Sequence, residues 1–135
     1  MHHGYISCAC AAPALRVADC AYNAAETVKW LEEAHAQGVQ LLVFPELGLT
    51  GYTCGELFLQ KTLLDGAMDA LMTVKEATEG KSMVVFVGLP VQWNHKLYNC
   101  AAVLHDGSIL GLVPKTHLPN YGEFYEQRWF TPATE

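Results

Sequence analysis

The chain has 135 residues, the length of one domain, and its 51% apolar and 16% charged shares support a buried core and argue against disorder. Its net charge is −6 and its basic residues are scattered, which argues against a nucleic-acid or anionic-membrane surface. No apolar run approaches the roughly 18–20 residues of a membrane span, and the start, Met1-His2-His3-Gly4-Tyr5, has neither the basic nor the apolar region of a signal peptide.

In chain order, residues 6–12 read as a first strand closed by Pro13. Cys8 and Cys10 alternate within it, on one side of the strand. Asp19 can cap a helix beginning near Cys20, in which Ala24, Val28, Leu31 and His35 recur at the helical period. Gly38 suits its C-terminal stop. A second strand, 39–44, leads into Pro45 and a loop carrying Glu46, Gly48, Gly51 and Gly55. A second helix is expected to open near Glu56, with the stripe Phe58, Leu63 or Leu64, Ala67, Leu71 and Val74. A third strand, 83–88, is continuously apolar, as burial on both faces requires, and Pro90 closes it. Residues 97–104 and 109–113 form a strand pair joined by Asp106-Gly107, a short-hairpin signal. The order is β-α-β-α-β-β-β, a mixed sheet with helices on a face. The chain then turns polar and aromatic, from Lys115 to Phe130, with no following element for the aromatic cluster to pack on. No internal repeat, low-complexity tract or linker interrupts it.

Five cysteines, Cys8, Cys10, Cys20, Cys54 and Cys100, are odd in number and widely spaced, which fits reduced thiols in a cytoplasmic setting rather than a disulfide framework. No Cys/His spacing supports a metal site. Cys8, Cys10 and Cys100 read as small buried hydrophobes.

Two positions carry candidate chemistry. Glu46 follows a buried-type strand and a proline, so it sits beyond the strand's C-terminal tip, where α/β sheets place reactive groups. A carboxylate between apolar neighbours is a candidate for a raised pKa and a general-base role; the alternative is a solvated loop glutamate. Lys115 repeats that setting after the strand 109–113 and Pro114. The two charges can meet across one cleft, Glu46 moving a proton and Lys115 donating to an oxyanion, or form a structural ion pair. A nucleophile is what such a pair lacks. Cys54 stands near a helix start, but nothing in the sequence places it between Glu46 and Lys115. His95 and His105 lie in or beside polar turns and read as solvated. His117, two residues past Lys115, either lines the same cleft or is a loop histidine.

Phe44-Pro45-Glu46-Leu47 with Leu49-Thr50-Gly51-Tyr52, and Pro114-Lys115-Thr116-His117-Leu118-Pro119-Asn120-Tyr121, resemble the Glu and Lys motifs of the nitrilase, or carbon–nitrogen hydrolase, superfamily. Two ordered motifs about 70 residues apart are more specific than either alone. The stretches 51–60 and 120–130, with Leu97-Tyr98-Asn99-Cys100-Ala101 and residues 13–23, resemble one branch more closely, the glutaminase domains of glutamine-dependent NAD synthetases.

That resemblance implies an α-β-β-α sandwich and a Glu–Lys–Cys triad that hydrolyses glutamine. By resemblance Glu46 is the general base and Lys115 holds the oxyanion. Tyr121 matches an aromatic position near the glutamine site, and Glu123 or Glu126 the acid that braces the lysine. The ammonia passes to an ATP- and Mg-dependent synthetase domain that amidates nicotinic acid adenine dinucleotide. The resemblance covers the chain but only the first half of the amidase domain, so residues 1–135 are expected to be its N-terminal part, without nucleophile or synthetase domain and without a cofactor of their own. Glu56 stands where the family usually carries Asp. Two other outcomes stay open: another amidase of the superfamily, or a non-catalytic fragment whose open sheet edge favours self-association. A homo-oligomeric parent, with no nucleic-acid or membrane partner, is the expectation.

Overall fold

The computed structural model describes residues 4–134; Met1, His2 and His3, part of the segment weighed above as a signal peptide, lie outside the described residues. The elements run β1 (Cys8–Cys10), α1 (Cys20–Ala36), β2 (Leu41–Val43), a 3-10 helix (Gly55–Leu59), α2 (Lys61–Ala77), β3 (Val84–Trp93), β4 (Lys96–His105), β5 (Ser108–Pro114) and a short 3-10 helix (Glu126–Arg128). The expected β-α-β-α-β-β-β order holds.

The five strands form one mixed sheet in the order β1-β2-β3-β4-β5. β1, β2 and β3 are parallel, each step crossing over through a helix; β3, β4 and β5 are antiparallel. Two tight turns join the antiparallel strands. Asp106 and Gly107 have φ of 44° and 70°, and Asn94 and His95 have φ of 48° and 63°, the left-handed pair that a two-residue hairpin needs.

Asp19 caps α1 by accepting from the Tyr22 amide at 3.1 Å, and Gly38, with φ of 75°, follows its end. The buried stripe of α1 is Cys20, Asn23, Ala24, Thr27, Leu31 and Ala34, and His35 is exposed. The stripe is rotated from the one read in the sequence because Asn23 is drawn inward. Its carboxamide donates to the carbonyls of Arg16 at 2.8 Å and Leu49 at 3.3 Å and accepts from the Arg16 amide at 2.9 Å, so its burial is offset. The second helix begins later than expected. Phe58 lies in the 3-10 helix, Gln60 is extended with ψ of 127°, and α2 starts only at Lys61.

Pro90 does not close β3, which runs on to Trp93. Pro90 stands opposite Asn99, whose carbonyl accepts from Lys115 on the β5 side. The missing proline N–H therefore faces away from β4, on the side where pairing with β2 has already ended at Phe86.

Residues directly opposite in the register share a face. Leu42, Val85, Val87, Leu89, Ala102 and Leu104 form the buried face, packed into one core with Leu31, Leu71 and Val74 of the helices. The other face carries Leu41, Val43, Val84, Phe86, Ala101 and Val103, all half-buried, and exposed Val113. Cys8 and Cys10 lie on that face too and are exposed, which corrects their reading as buried residues: β1 is an edge strand and no helix of the described residues covers its outer side. Cys100 is buried as expected. The described residues thus supply one helix layer on one sheet, half of the four-layer order that the resemblance implies.

The aromatic tail packs on an earlier element, the 3-10 helix Gly55–Leu59, instead of a following one. Phe58 receives Phe130 at 5.0 Å and Trp129 at 6.1 Å between ring centroids. The Thr131 amide donates to the Leu97 carbonyl at 2.8 Å and the Ala133 amide to that of Lys115 at 3.0 Å, so the tail is hydrogen-bonded back along the sheet. Arg128 pairs with Glu56 at 2.5 Å on the surface. Among the described residues no helix is long and apolar enough to cross a membrane.

Candidate active site

β2 delivers Glu46 to the uncovered face of the sheet. The Phe44 amide makes its last ladder bond, to the Phe86 carbonyl at 2.9 Å, and Pro45 ends the pairing. The loop then folds on itself: the amides of Gly48 and Gly51 donate to the carbonyls of Pro45 at 3.2 Å and Leu47 at 2.7 Å. Leu47 adopts φ of 52° and is fully buried, and the Leu49 amide donates to the Gly88 carbonyl at 3.1 Å. Gly88 lets this loop lie against β3, because a Cβ there would stand 2.8 Å from the Pro45 carbonyl oxygen and collide with the Leu47 amide nitrogen. Lys115 enters from β5, its amide donating to the Asn99 carbonyl at 2.8 Å.

The two side chains meet, as their shared setting at the ends of strands suggested. Lys115 Nζ is 2.8 Å from Glu46 Oε1 and 3.1 Å from Glu126 Oε1. Of the two acids read as candidates for bracing the lysine, Glu126 makes the contact and is 3% exposed; Glu123 is exposed and forms no ion pair with it. Tyr121 is 73% exposed and reaches the site only through other rings, packing on Phe124 at 6.0 Å, which packs on Tyr52 at 6.5 Å. His117 and His95 are exposed, whereas His105, read as solvated, is half-buried with Nδ1 3.3 Å from the Met83 carbonyl.

Two further residues join the network. The Tyr52 hydroxyl donates to Glu126 Oε1 at 2.8 Å, and Asn99 Nδ2 donates to Glu46 Oε1 at 2.5 Å. Asn99 carries a signal that could have been read: it is a carboxamide in the middle of an apolar strand, and buried polar groups have partners. Tyr52 lies in a stretch singled out for its resemblance, but its partner is 74 residues away.

The groove beside these groups encloses about 350 Å³ and is lined by Phe44, Pro45, Glu46, Phe86, Asn99 and Lys115 among others. Burial works against the charge of Lys115, but hydrogen bonds and attraction from Glu46 and Glu126 outweigh it and hold its pKa above the ordinary lysine value. Burial, followed by the bond to Glu126 and its charge, raises the Tyr52 phenol, which therefore stays protonated and donating.

The thiols are placed otherwise. Cys8, Cys10, Cys20 and Cys54 do not line the groove. Cys54 is buried, donates to the carbonyls of Thr50 at 3.2 Å and Gly51 at 3.4 Å, and burial raises its pKa. Cys100 borders the groove along its strand, but Asn99 and Ala101 occupy that face, so the pleat turns its side chain to the other. Burial pushes Cys100 up to about 11. No group of three or more metal-ligating side chains occurs among the described residues.

Residues 7–135 match the carbon-nitrogen hydrolase family. The chain belongs to that family. This carbon–nitrogen hydrolase chain is 40% identical over 131 residues to the glutamine-dependent NAD(+) synthetase of Mycobacterium tuberculosis, a match covering 97% of this chain and 19% of that protein. It is 38% identical over 113 residues to the enzyme of the same name from Thermotoga maritima, covering 84% of this chain and 19% of that protein. The chain thus spans about a fifth of the length of these curated relatives. The crystal structure of a glutamine-dependent NAD(+) synthetase from Cytophaga hutchinsonii superposes with a TM-score of 0.89 at 31% identity, over 94% of this chain and 22% of that one. An amidase from Nesterenkonia sp., at 22% identity, shares the fold with a TM-score of 0.79 over 98% of this chain and 50% of that one.

Proposed function

We propose that these 135 residues form part of the glutamine-cleaving domain of a glutamine-dependent NAD synthetase, with Glu46 as general base and Lys115 as oxyanion donor. The observation that carries this is the Lys115 ammonium held 2.8 Å from Glu46 and 3.1 Å from buried Glu126 in an open groove. The choice of glutamine, and of NAD formation as the use of its nitrogen, rests on what the relatives are.

In this reading a cysteine thiol from elsewhere in the longer protein gives its proton to Glu46 and its sulfur attacks the carboxamide carbon of glutamine. Lys115 donates to the oxygen that becomes negative. The tetrahedral adduct collapses, the carbon–nitrogen bond breaks, and Glu46 returns the proton to the departing nitrogen, giving ammonia and a γ-glutamyl thioester. Water, deprotonated by Glu46, then releases glutamate and restores the thiol. Tyr121 and Glu123, both exposed, are assigned to the approach of glutamine rather than to the proton path. The ammonia serves an ATP- and Mg-dependent amidation in a synthetase domain of the same protein, which is taken to be cytoplasmic and homo-oligomeric.

The test is Lys115→Ala in the full-length protein. Losing one oxyanion donor costs about 3–4 kcal/mol, a hundred- to thousandfold in rate, so glutamine-driven NAD formation is expected to collapse. Synthesis from added ammonia bypasses amide cleavage and is expected to persist. A structural ion pair would instead lower both activities together with the melting temperature, and equal loss with the two nitrogen sources would overturn the assignment.

A further inference from the structure

We infer that Asn99 is a positioning residue for amide cleavage, fixing which oxygen of Glu46 is occupied and so which one takes the proton. The inference rests on the reading of Glu46 as the base.

Asn99 is 4% exposed, on β4 between buried Leu97 and Cys100. A carboxamide at such a position is unfavourable unless it is hydrogen-bonded, and its Nδ2 bond goes to a catalytic candidate, Glu46 Oε1, at 2.5 Å. Its backbone carbonyl accepts from the Lys115 amide at 2.8 Å. One residue therefore ties the base through its side chain and the cation through its main chain.

The two donors to Glu46 converge on the same atom. Asn99 Nδ2 and Lys115 Nζ both point at Oε1, the latter from 2.8 Å. Turning the carboxylate about its last bond would break both contacts, so Oε1 is committed and Oε2 is left to accept the thiol proton and return it to the leaving nitrogen. The chemical type of Asn99 matters here. A neutral amide holds the oxygen without adding a second cation, and it has no acidic proton with which to quench the base. A carboxylate of the same size would repel Glu46, and an aliphatic side chain would leave Oε1 held by Lys115 alone, which must also serve the oxyanion.

The experiment uses the full-length protein with Asn99→Leu, which removes the donor at similar volume, and Asn99→Asp, which keeps size and the main-chain bond but reverses the interaction. Glu46→Gln is the reference. For each, kcat and KM for glutamine, the rate with added ammonia and the melting temperature are measured. A lost hydrogen bond to a charged group predicts a fall in glutamine kcat of about tenfold to a hundredfold in both Asn99 variants. KM and ammonia-driven synthesis are expected to stay near wild type, since Asn99 acts through Glu46 rather than on substrate. Retained kcat in either variant, a change confined to KM, equal loss with both nitrogen sources, or failure of both variants to fold would overturn the proposal. The underlying reading is separable. Glu46→Gln retaining glutamine use overturns the base assignment and the role of Asn99 with it, whereas loss in Glu46→Gln with both Asn99 variants active overturns Asn99 alone.

Discussion

Lys115 illustrates what a single residue contributes and what its neighbours make of it. Its charge is held between two carboxylates, one half exposed and one buried, and its pKa is raised although burial opposes it. The sign of the linkage follows. A group whose folded pKa lies above its unfolded value adds stability that is fully present below the ordinary lysine value of 10.5 and is lost as pH rises through the higher folded value. Alkaline unfolding of the full-length protein, followed by near-UV circular dichroism, is therefore expected to show a loss of stability above pH 10.5 that is smaller in Lys115→Met, in which only the other raised groups remain. Curves that coincide above that pH would show that the network does not stabilise the charged lysine. Glu46 and Lys115 were legible in the sequence because each follows a strand and a proline, a local signal. Asn99 gave only the signal of a carboxamide in an apolar strand, and Tyr52 gave none that named its partner, since their partners stand 53 and 74 residues away, on the loop after β2 and on the last 3-10 helix. Glu126 was legible only as one of two acids, because the choice against Glu123 depends on a 3-10 turn that no periodicity announces.

At the scale of elements, the order of strands and helices followed from periodicity and turn chemistry, and the departures have local causes. Pro90 fits inside β3 because its ring nitrogen faces the side on which β2 has ended. The second helix begins late because Gln60 is extended between the 3-10 helix and α2. What positions Glu46 is less obvious than either: the packing of its loop on Gly88. A Cβ at Gly88 would meet the main chain of Pro45 and Leu47 rather than the end of a flexible side chain, so the loop itself must move. Gly88→Ala is expected to destabilise the protein by about 1–3 kcal/mol, as overpacking does, and to shift Glu46 away from Asn99 and Lys115. Gly111→Ala is the matched control, because a Cβ there meets nothing within 4 Å. Urea melts of the two variants decide the matter; equal midpoints would mean that the loop yields without cost.

Taken whole, the chain carries Glu46, Lys115 and the groups that hold them on an apolar sheet face that no helix of the described residues covers. Half-buried Val43 and Phe86 and exposed Val113 lie on that face, next to the groove. What the described residues do not bring there is a thiol. Cys54 is turned toward main-chain carbonyls in the core, and Cys100 faces the helix-bearing side. Burial raises both, Cys100 to about 11, so neither would be ionised at neutral pH even with access to substrate. The 135 residues expressed alone are accordingly expected to release no ammonia from glutamine above a protein-free blank. Without the nucleophile only binding and oxyanion stabilisation remain, a loss of several orders of magnitude. The measurement needs two controls, because inactivity from misfolding would look the same. A cooperative melt shows that the sheet is formed, and Cys54→Ala shows whether the buried thiol contributes. Ammonia release at a rate abolished by Cys54→Ala would move the nucleophile to Cys54 and require the 3-10 helix at Gly55–Leu59 to open toward the groove. Release that survives Cys54→Ala but not Lys115→Ala would instead call for an attack by water at the same pair of charges.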